Sequence, residues 1–474
     1  MRIQPKAAHS KPLAVGLAAL ILTGCATFSK DGGLDAVSTL TRERTGLTVQ
    51  REKSAEDAKA AQSSIDQLLA RPLTPDTAVE VALANNKGLQ AAFAELGISE
   101  ASLVQAGRLR NPGYSFGRLR GGADAEIERS IMFDFVGLLT MPLRSNIEAR
   151  RFEQATLQAA LQAVQLAADT RTAYFTAVAA QQSAQYAEQV AIAAEAGAEL
   201  AQRLAKVGNW SKLNQAREQV FHADATTQLA RARHNATAAR EQLARLLGVW
   251  GANTAFKLPD RLPDLPQAAN EVANIETQAM SQRLDVQMAR LDAEATASSL
   301  GLTRATGFIN VFDAGYANKS QSGLPRENGY EIVLELPIFD WGDARVARAE
   351  AAYMQAVYRT ADAAVRARSE VRASYSAYRT TYDIAKHYRD EVVPLRKKIS
   401  DEMMLRYNGM LASVFELLTD ARDQVNSVNT AIEAQRDFWI AETALQASIN
   451  GGGSGASSTE MRTQVSDEAR AQKH

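Results

Sequence analysis

Apolar positions along this chain follow two regimes, and the pair of regimes occurs twice. In 127–136, Ile127, Ile131, Phe133 and Phe135 share one face, with Arg129 the exception, while Glu128, Ser130, Met132 and Asp134 share the other. Alternation of period two predicts strands, here at 114–120 and 127–136, with Gly121-Gly122 as a tight connection. In the second pair Phe308, Asn310, Phe312, Ala314 and Tyr316 alternate with Ile309, Val311, Asp313 and Gly315; after a loop at 318–328, Tyr330, Ile332, Leu334 and Leu336 alternate with Glu331, Val333 and Glu335. Each strand pair gives way to long helices. Residues 146–207 contain no proline and one glycine, Gly197, which predicts a helix of about 90 Å. Gly208-Asn209 reverses the chain and 211–247 runs back. The second half repeats this over 344–407, with a break at Gly409, and over 413–449; Pro394 predicts a kink. A shorter helix precedes each strand pair. In the first half it starts at Thr74-Pro75, an N-cap followed by proline at N1, runs to about Arg110 and stops at Asn111-Pro112-Gly113.

Landmarks recur in the same order in both halves. Leu89-Gln90 matches Val286-Gln287, Pro142 matches Pro337, Gly208 matches Gly409, Ala216-Arg217-Glu218-Gln219-Val220 matches Ala421-Arg422-Asp423-Gln424-Val425, and Leu243 matches Leu445. The chain therefore reads as a duplication, 73–250 and 251–450, each repeat being helix, two strands and a long helical hairpin. Alanine-rich hairpins of mixed polarity make no globular core; they pack laterally against copies of themselves or stand as isolated coiled coils. Four strands cannot close a barrel alone. They are either soluble hairpins or part of a membrane barrel whose interface girdle includes Tyr114, Tyr316, Tyr330, Phe339 and Trp341.

The remaining composition narrows the setting. The chain has 474 residues, 46% hydrophobic and 23% charged, with a formal net charge of -1, so it is a folding chain without the basic bias of a nucleic-acid binder. Arg2, Lys6 and Lys11 precede an apolar run at 13–22 that is too short to span a membrane and reads as a signal segment, 1–24. It ends in Leu22-Thr23-Gly24-Cys25, which resembles a bacterial lipobox. Cys25 is the only cysteine, a lipid anchor (palmitate) in this reading, and Ala26 after it implies outer-membrane sorting. No later stretch is a spanning helix, so a second membrane contact would be made by strands. Residues 25–72 read as an extended segment along the outside of the barrel, and 451–474, opening Gly451-Gly452-Gly453-Ser454-Gly455, as a flexible tail. His222, His234, His387 and His474 lack the spacing of a helical metal site, Met403-Met404 and Met410 read as packing residues, and there is no phosphate loop or nucleophile motif. The expectation is a protein that is not an enzyme and needs no cofactor or metal.

Leu73-Thr74-Pro75 through Asn85-Asn86, Leu336-Pro337-Ile338-Phe339-Asp340-Trp341-Gly342, and Arg406-Tyr407-Asn408-Gly409 followed by Glu416-Leu417-Leu418 resemble the TolC-like outer-membrane efflux proteins over about residues 70–450. The first repeat departs from the pattern with Met141-Pro142-Leu143-Arg144, and the spacing after Gly409 is slightly long. The resemblance implies a mainly α fold with a membrane β-barrel: a homotrimer whose twelve strands form one barrel, continued by an α-barrel in the periplasm. It implies a passive exit duct working with a periplasmic adaptor and an inner-membrane pump. It also implies acidic pore constrictions at Glu416 and Asp420. Both are expected to face solvent, and three carboxylates around an axis should include some that titrate above the ordinary value of about 4. The hairpin turns, with Arg203, Gly208, Trp210, Arg406 and Gly409, would meet the adaptor, although Trp210 also reads as a local packing anchor. The alternative is a coiled-coil lipoprotein that links outer membrane and periplasm without a pore; paired strand segments argue against a simple tether.

Overall fold

The computed structural model describes residues 27–451 except 53, 123, 272, 309 and 310. The signal segment, Cys25 and the tail after Gly451 lie outside the described residues. The chain divides into two compact units: residues 27–36, 93–158 and 287–363 form the first, and 37–92, 159–286 and 364–451 the second.

In chain order the helices before the strands are α1 (Leu34–Thr45), α2 (Ala55–Leu69), α3 (Pro75–Asn85) and α4 (Lys87–Ala106). Strands β1 (Gly113–Gly121) and β2 (Asp124–Asp134) lead into the first hairpin, α5 (Phe135–Lys206) and α6 (Lys212–Leu247). The second repeat supplies α7 (Ile275–Gln282), α8 (Leu284–Ala305), β3 (Phe312–Gln321), β4 (Glu327–Leu334), α9 (Asp343–His387), α10 (Val393–Asn408) and α11 (Val414–Asn450).

Several expectations need correcting. The 25–72 segment is not simply extended, because it carries α1 and α2. The helix from Thr74 is interrupted at Asn86, whose ψ of 116° leaves the helical region. Pro142 does not precede the long helix but lies inside it, and α5 starts at Phe135, where the strand was expected to continue to 136. The loop between β3 and β4 is shorter than 318–328 because both strands extend into it. Pro394 is met by a π-helical turn at Tyr388–Val392: the Val393 N–H reaches back to Tyr388 O, and the helix absorbs the donor that proline lacks.

The second unit holds two apolar clusters, and the duplication is visible in its details. Asn86 (φ −65°, ψ 116°) and Arg283 (φ −63°, ψ 121°) make the same break between a short and a longer helix. Beside the first break, Asn85 Nδ2 donates to Leu247 O at 3.0 Å and Gly248 O at 2.7 Å, closing the end of α6. Beside the second, Arg283 Nη1 donates to Ser448 O at 2.8 Å, closing the end of α11. Each hairpin ends on a left-handed glycine, Gly248 (φ 68°) and Gly451 (φ 95°). A buried tyrosine ties each hairpin to the segment before the short helix. Tyr174 donates to Leu73 O, and Tyr378 accepts from the Asn270 N–H, both at 2.9 Å. Apolar packing follows: Tyr174, Val178, Leu243 and Leu247 in one cluster, Tyr378, Tyr382, Phe438 and Leu445 in the other. Trp439 stacks on Phe175 at 5.3 Å and packs edge-on against Phe438 at 5.0 Å, so it touches both.

Candidate functional site

Two features carry candidate function, one in each unit. In the first unit the strands form one antiparallel sheet in the order β1-β2-β3-β4. The register places Tyr114 opposite Ile131, Ile131 opposite Tyr316 and Tyr316 opposite Tyr330, a single row across all four strands. Residues directly opposite share a face. The same face therefore carries Phe133, Ala314 and Ile332 in the row on one side, and Phe116, Arg129, Asn318 and Asn328 in the row on the other. The odd residue of the sequence pattern, Arg129, thus sits in a polar row at the rim of an apolar band, its guanidinium 5.9 Å from the Phe116 ring. The opposite face carries Ser115, Ser130, Ala317 and Gly329 in one row and Gly117, Glu128, Lys319 and Glu327 in the next. Lys319 pairs there with Glu126 and, at 3.5 Å, with Glu128. One face is thus apolar and aromatic, the other small and charged, and Tyr330 is 85% exposed on the apolar one. The outer sides of β1 and β4 pair with no described strand. Of the expected girdle residues, Tyr114, Tyr316 and Tyr330 fall in one row; Phe339 and Trp341 lie past β4, where Trp341 contacts the Phe308 ring at 6.0 Å.

In the second unit the hairpin turns are built alike. The Asn209 N–H bonds Leu204 O and the Gly208 N–H bonds Ala205 O; the Leu411 N–H bonds Arg406 O and the Met410 N–H bonds Tyr407 O. Both are Schellman motifs, whose C′ residue is left-handed. That residue is Gly208 (φ 78°) in the first turn and Met410 (φ 59°) in the second. The sequence match of Gly208 with Gly409 is therefore one residue out: Gly409 has φ −80° and only ends the helix. Ser211 and Ser413 then cap α6 and α11. Counted from those caps, Glu218 corresponds to Asp420, so the quintet match beginning at Ala216 and Ala421 is also out of register with the fold.

Glu416 closes a capping box. The Ser413 N–H and hydroxyl donate to Glu416 Oε2 at 2.7 and 2.9 Å, and the Glu416 N–H donates to Ser413 Oγ at 3.2 Å. The two donated bonds hold its carboxyl below the usual carboxylate range in the single chain. Glu416 faces solvent as expected; Asp420 does not, being 7% exposed with Oδ2 lacking a hydrogen-bond partner. At the turns Arg203 pairs with Glu199 at 3.4 Å and Arg406 with Glu402 at 3.2 Å, each along its own helix, and Trp210 is half-buried. Met410 does not pack as its sequence pattern suggests: it is 93% exposed and with Leu411 (82%) forms an apolar tip, because it occupies the left-handed position of the turn rather than a helix face. Among the described residues no helix is long and apolar enough to cross a membrane, and no acid, histidine or cysteine cluster could hold a metal ion.

No protein-family model and no curated protein matches the sequence. Solved structures do. The Campylobacter jejuni CmeC outer membrane channel matches with a TM-score of 0.70 at 15% identity, over 85% of this chain and 90% of that one. A membrane protein from Pseudomonas aeruginosa matches with a TM-score of 0.69 at 18% identity, over 81% and 94%. The open state of the Neisseria gonorrhoeae MtrE outer membrane channel matches with a TM-score of 0.65 at 16% identity, over 79% and 88%. These likenesses show the fold.

Proposed function

We propose that this chain, which has the fold of the outer-membrane channels it matches, is itself such a channel: the passive exit duct of a tripartite efflux system. The observation that carries this reading is the four-stranded sheet with one apolar, aromatic face, one small and charged face, and both edges unpaired. In water such a sheet exposes aromatics and unpaired backbone groups. Joined edge to edge with two more copies, it closes into a twelve-stranded barrel that turns the aromatic face to lipid and the charged face to a lumen. A coiled-coil tether has no use for a sheet of this kind. Cys25, lipidated, would add an anchor to an insertion that the strands already drive, since one acyl chain binds membranes only marginally. The hairpins, packed side by side in the trimer, would continue the duct through the periplasm. Their tips (Arg203, Gly208, Trp210, Arg406 and Gly409, with Met410 and Leu411 beside them) would meet a periplasmic adaptor and, through it, an inner-membrane pump that supplies the energy. Glu416, exposed at the start of α11, would form a ring of three carboxylates that favours cations.

Mass measurement in mild detergent together with single-channel recording tests the reading. A trimer that conducts is expected; a stable monomer sinks the duct, because four strands enclose no pore. Labelling with radioactive fatty acid tests the anchor: label is expected on the native chain and lost in Cys25→Ser, and label retained in Cys25→Ser would remove the lipoprotein assignment.

A further inference from the structure

Charge on the sheet is sorted by face. Every acid on the described strands shares the face of Glu128 and Lys319, whereas the strand arginines, Arg118, Arg120 and Arg129, all stand on the aromatic face. The arginines occupy successive rows. Arg129 lies one row from Tyr114, Ile131, Tyr316 and Tyr330; Arg118 follows in the next row, opposite Ile127, and Arg120 in the one after, opposite Ala125. Neighbouring rows on one face are about 7 Å apart along a strand. The arginines therefore climb from the edge of the aromatic band to the β1–β2 turn, at the end of the sheet away from the helices. Lys319, on the other face, is engaged by Glu126 and Glu128. Arg118 and Arg120 are exposed and form no ion pair among the described residues. Arg129 donates to Asn318 Oδ1 at 3.4 Å, a neutral partner. Arg326, also exposed, stands directly before β4 at the same end of the sheet.

We propose that Arg118, Arg120 and Arg129 form an outward-facing site for the phosphate groups of a glycolipid in the outer leaflet of the outer membrane; this rests on the barrel reading above. In that barrel the aromatic face meets lipid and the helices continue into the periplasm, so the turn end of the sheet lies at the outer leaflet. An arginine on the lipid face is costly at the middle of the bilayer and costs little near its surface. Here the arginines lie on one side of the tyrosine row only, where long side chains reach the headgroups. A guanidinium binds phosphate through two parallel N–H bonds, and a face without acids leaves these forks no carboxylate to pair with. A merely solvated rim needs no such sorting of charge. Ile127 beside Arg118, and Phe116 beside Arg129, make the site amphipathic, which suits a phosphate carried on acyl chains better than a free anion. In a closed ring β1 of one copy follows β4 of the next, so Arg326 of the neighbouring copy adds positive charge at the same level.

Native mass spectrometry of the full chain in mild detergent, titrated with bisphosphoryl lipid A and with its dephosphorylated form, tests the site. The trimer should bind the bisphosphoryl form at least about tenfold more tightly, and Arg118→Gln with Arg120→Gln and Arg129→Gln should abolish that preference. Equal binding of the two forms, or a preference that survives the triple variant, would overturn the site; a trimer that still conducts would leave the duct standing. A monomeric native mass would overturn both. Inorganic phosphate at the concentration of the lipid should not displace it; displacement would overturn the lipid as occupant. If the triple variant does not assemble, Arg118→Gln and Arg120→Gln are titrated singly. Each should lower the preference several-fold, and an unchanged preference in both would overturn the site.

Discussion

At the scale of single residues, the two turns pose a direct comparison. Met410 holds a left-handed conformation that L side chains adopt at a cost, in a motif where its counterpart is Gly208. Met410→Gly should therefore stabilise the folded chain by about 1 kcal/mol, the relief of that strain less the greater freedom of glycine in the unfolded chain, and Gly208→Met should cost a similar amount. Denaturant unfolding followed by circular dichroism measures both; a Met410→Gly variant no more stable than the parent would mean the turn is not strained. Glu416 offers a second test. Its folded pKa is depressed by the bonds from Ser413, so its contribution is fully present above the ordinary carboxylate range and is lost as pH falls through the depressed value. The melting-temperature gap between the native chain and Glu416→Gln should be present at pH 7 and should close on acidification. A gap that is the same at every pH would show that the carboxylate charge plays no part in the cap.

At the scale of elements, the closure of each long hairpin depends on one polar residue from the short-helix break. Arg283 is 2% exposed and bonds Asp285 at 2.7 Å, Glu370 at 2.8 Å and Ser448 O at 2.8 Å. Burial opposes its charge, but Asp285 and Glu370 more than offset this and its pKa is raised. Arg283→Met would leave the Ser448 carbonyl and two partly exposed carboxylates without their donor, an expected loss of about 2 kcal/mol in unfolding free energy; a loss under about 0.5 kcal/mol would mean that water satisfies all three groups. Asn85 performs the same closure without charge in the first repeat. Most of the element pattern was legible in the sequence. Thr74-Pro75, the hairpin stretches free of proline, and the period-two strands all carry local signals. What escaped were features set by tertiary contact. The break at Asn86 is stabilised by the distant end of α6, which no local pattern shows. Pro142 reads as a helix boundary but is tolerated within α5, and the left-handed site at Met410 was hidden by the glycine beside it. Asp420 shows the same limit at the candidate site: its residue type suggested solvent, and only the packing of α11 reveals that it is buried.

At the scale of the whole molecule, the proposed Glu416 ring can be read electrically. Glu416→Gln should weaken the preference of the closed pore for cations in planar bilayers while the trimer persists; unchanged selectivity would put the constriction elsewhere. The open edges of β1 and β4 have a consequence of a different kind, in genetics. In the proposed trimer a single copy brings two edges that pair with no described strand, two joined copies still have two, and only the third removes both. If the chain closes in this way, a copy that cannot pair along one edge does not take away one third of the proposed duct; it takes away the whole ring it enters. Expressed in equal amount beside the native chain and admitted at random, it would leave only about one ring in eight wholly native. Alleles that block an edge should therefore be dominant, whereas alleles that prevent the chain from folding at all should be recessive.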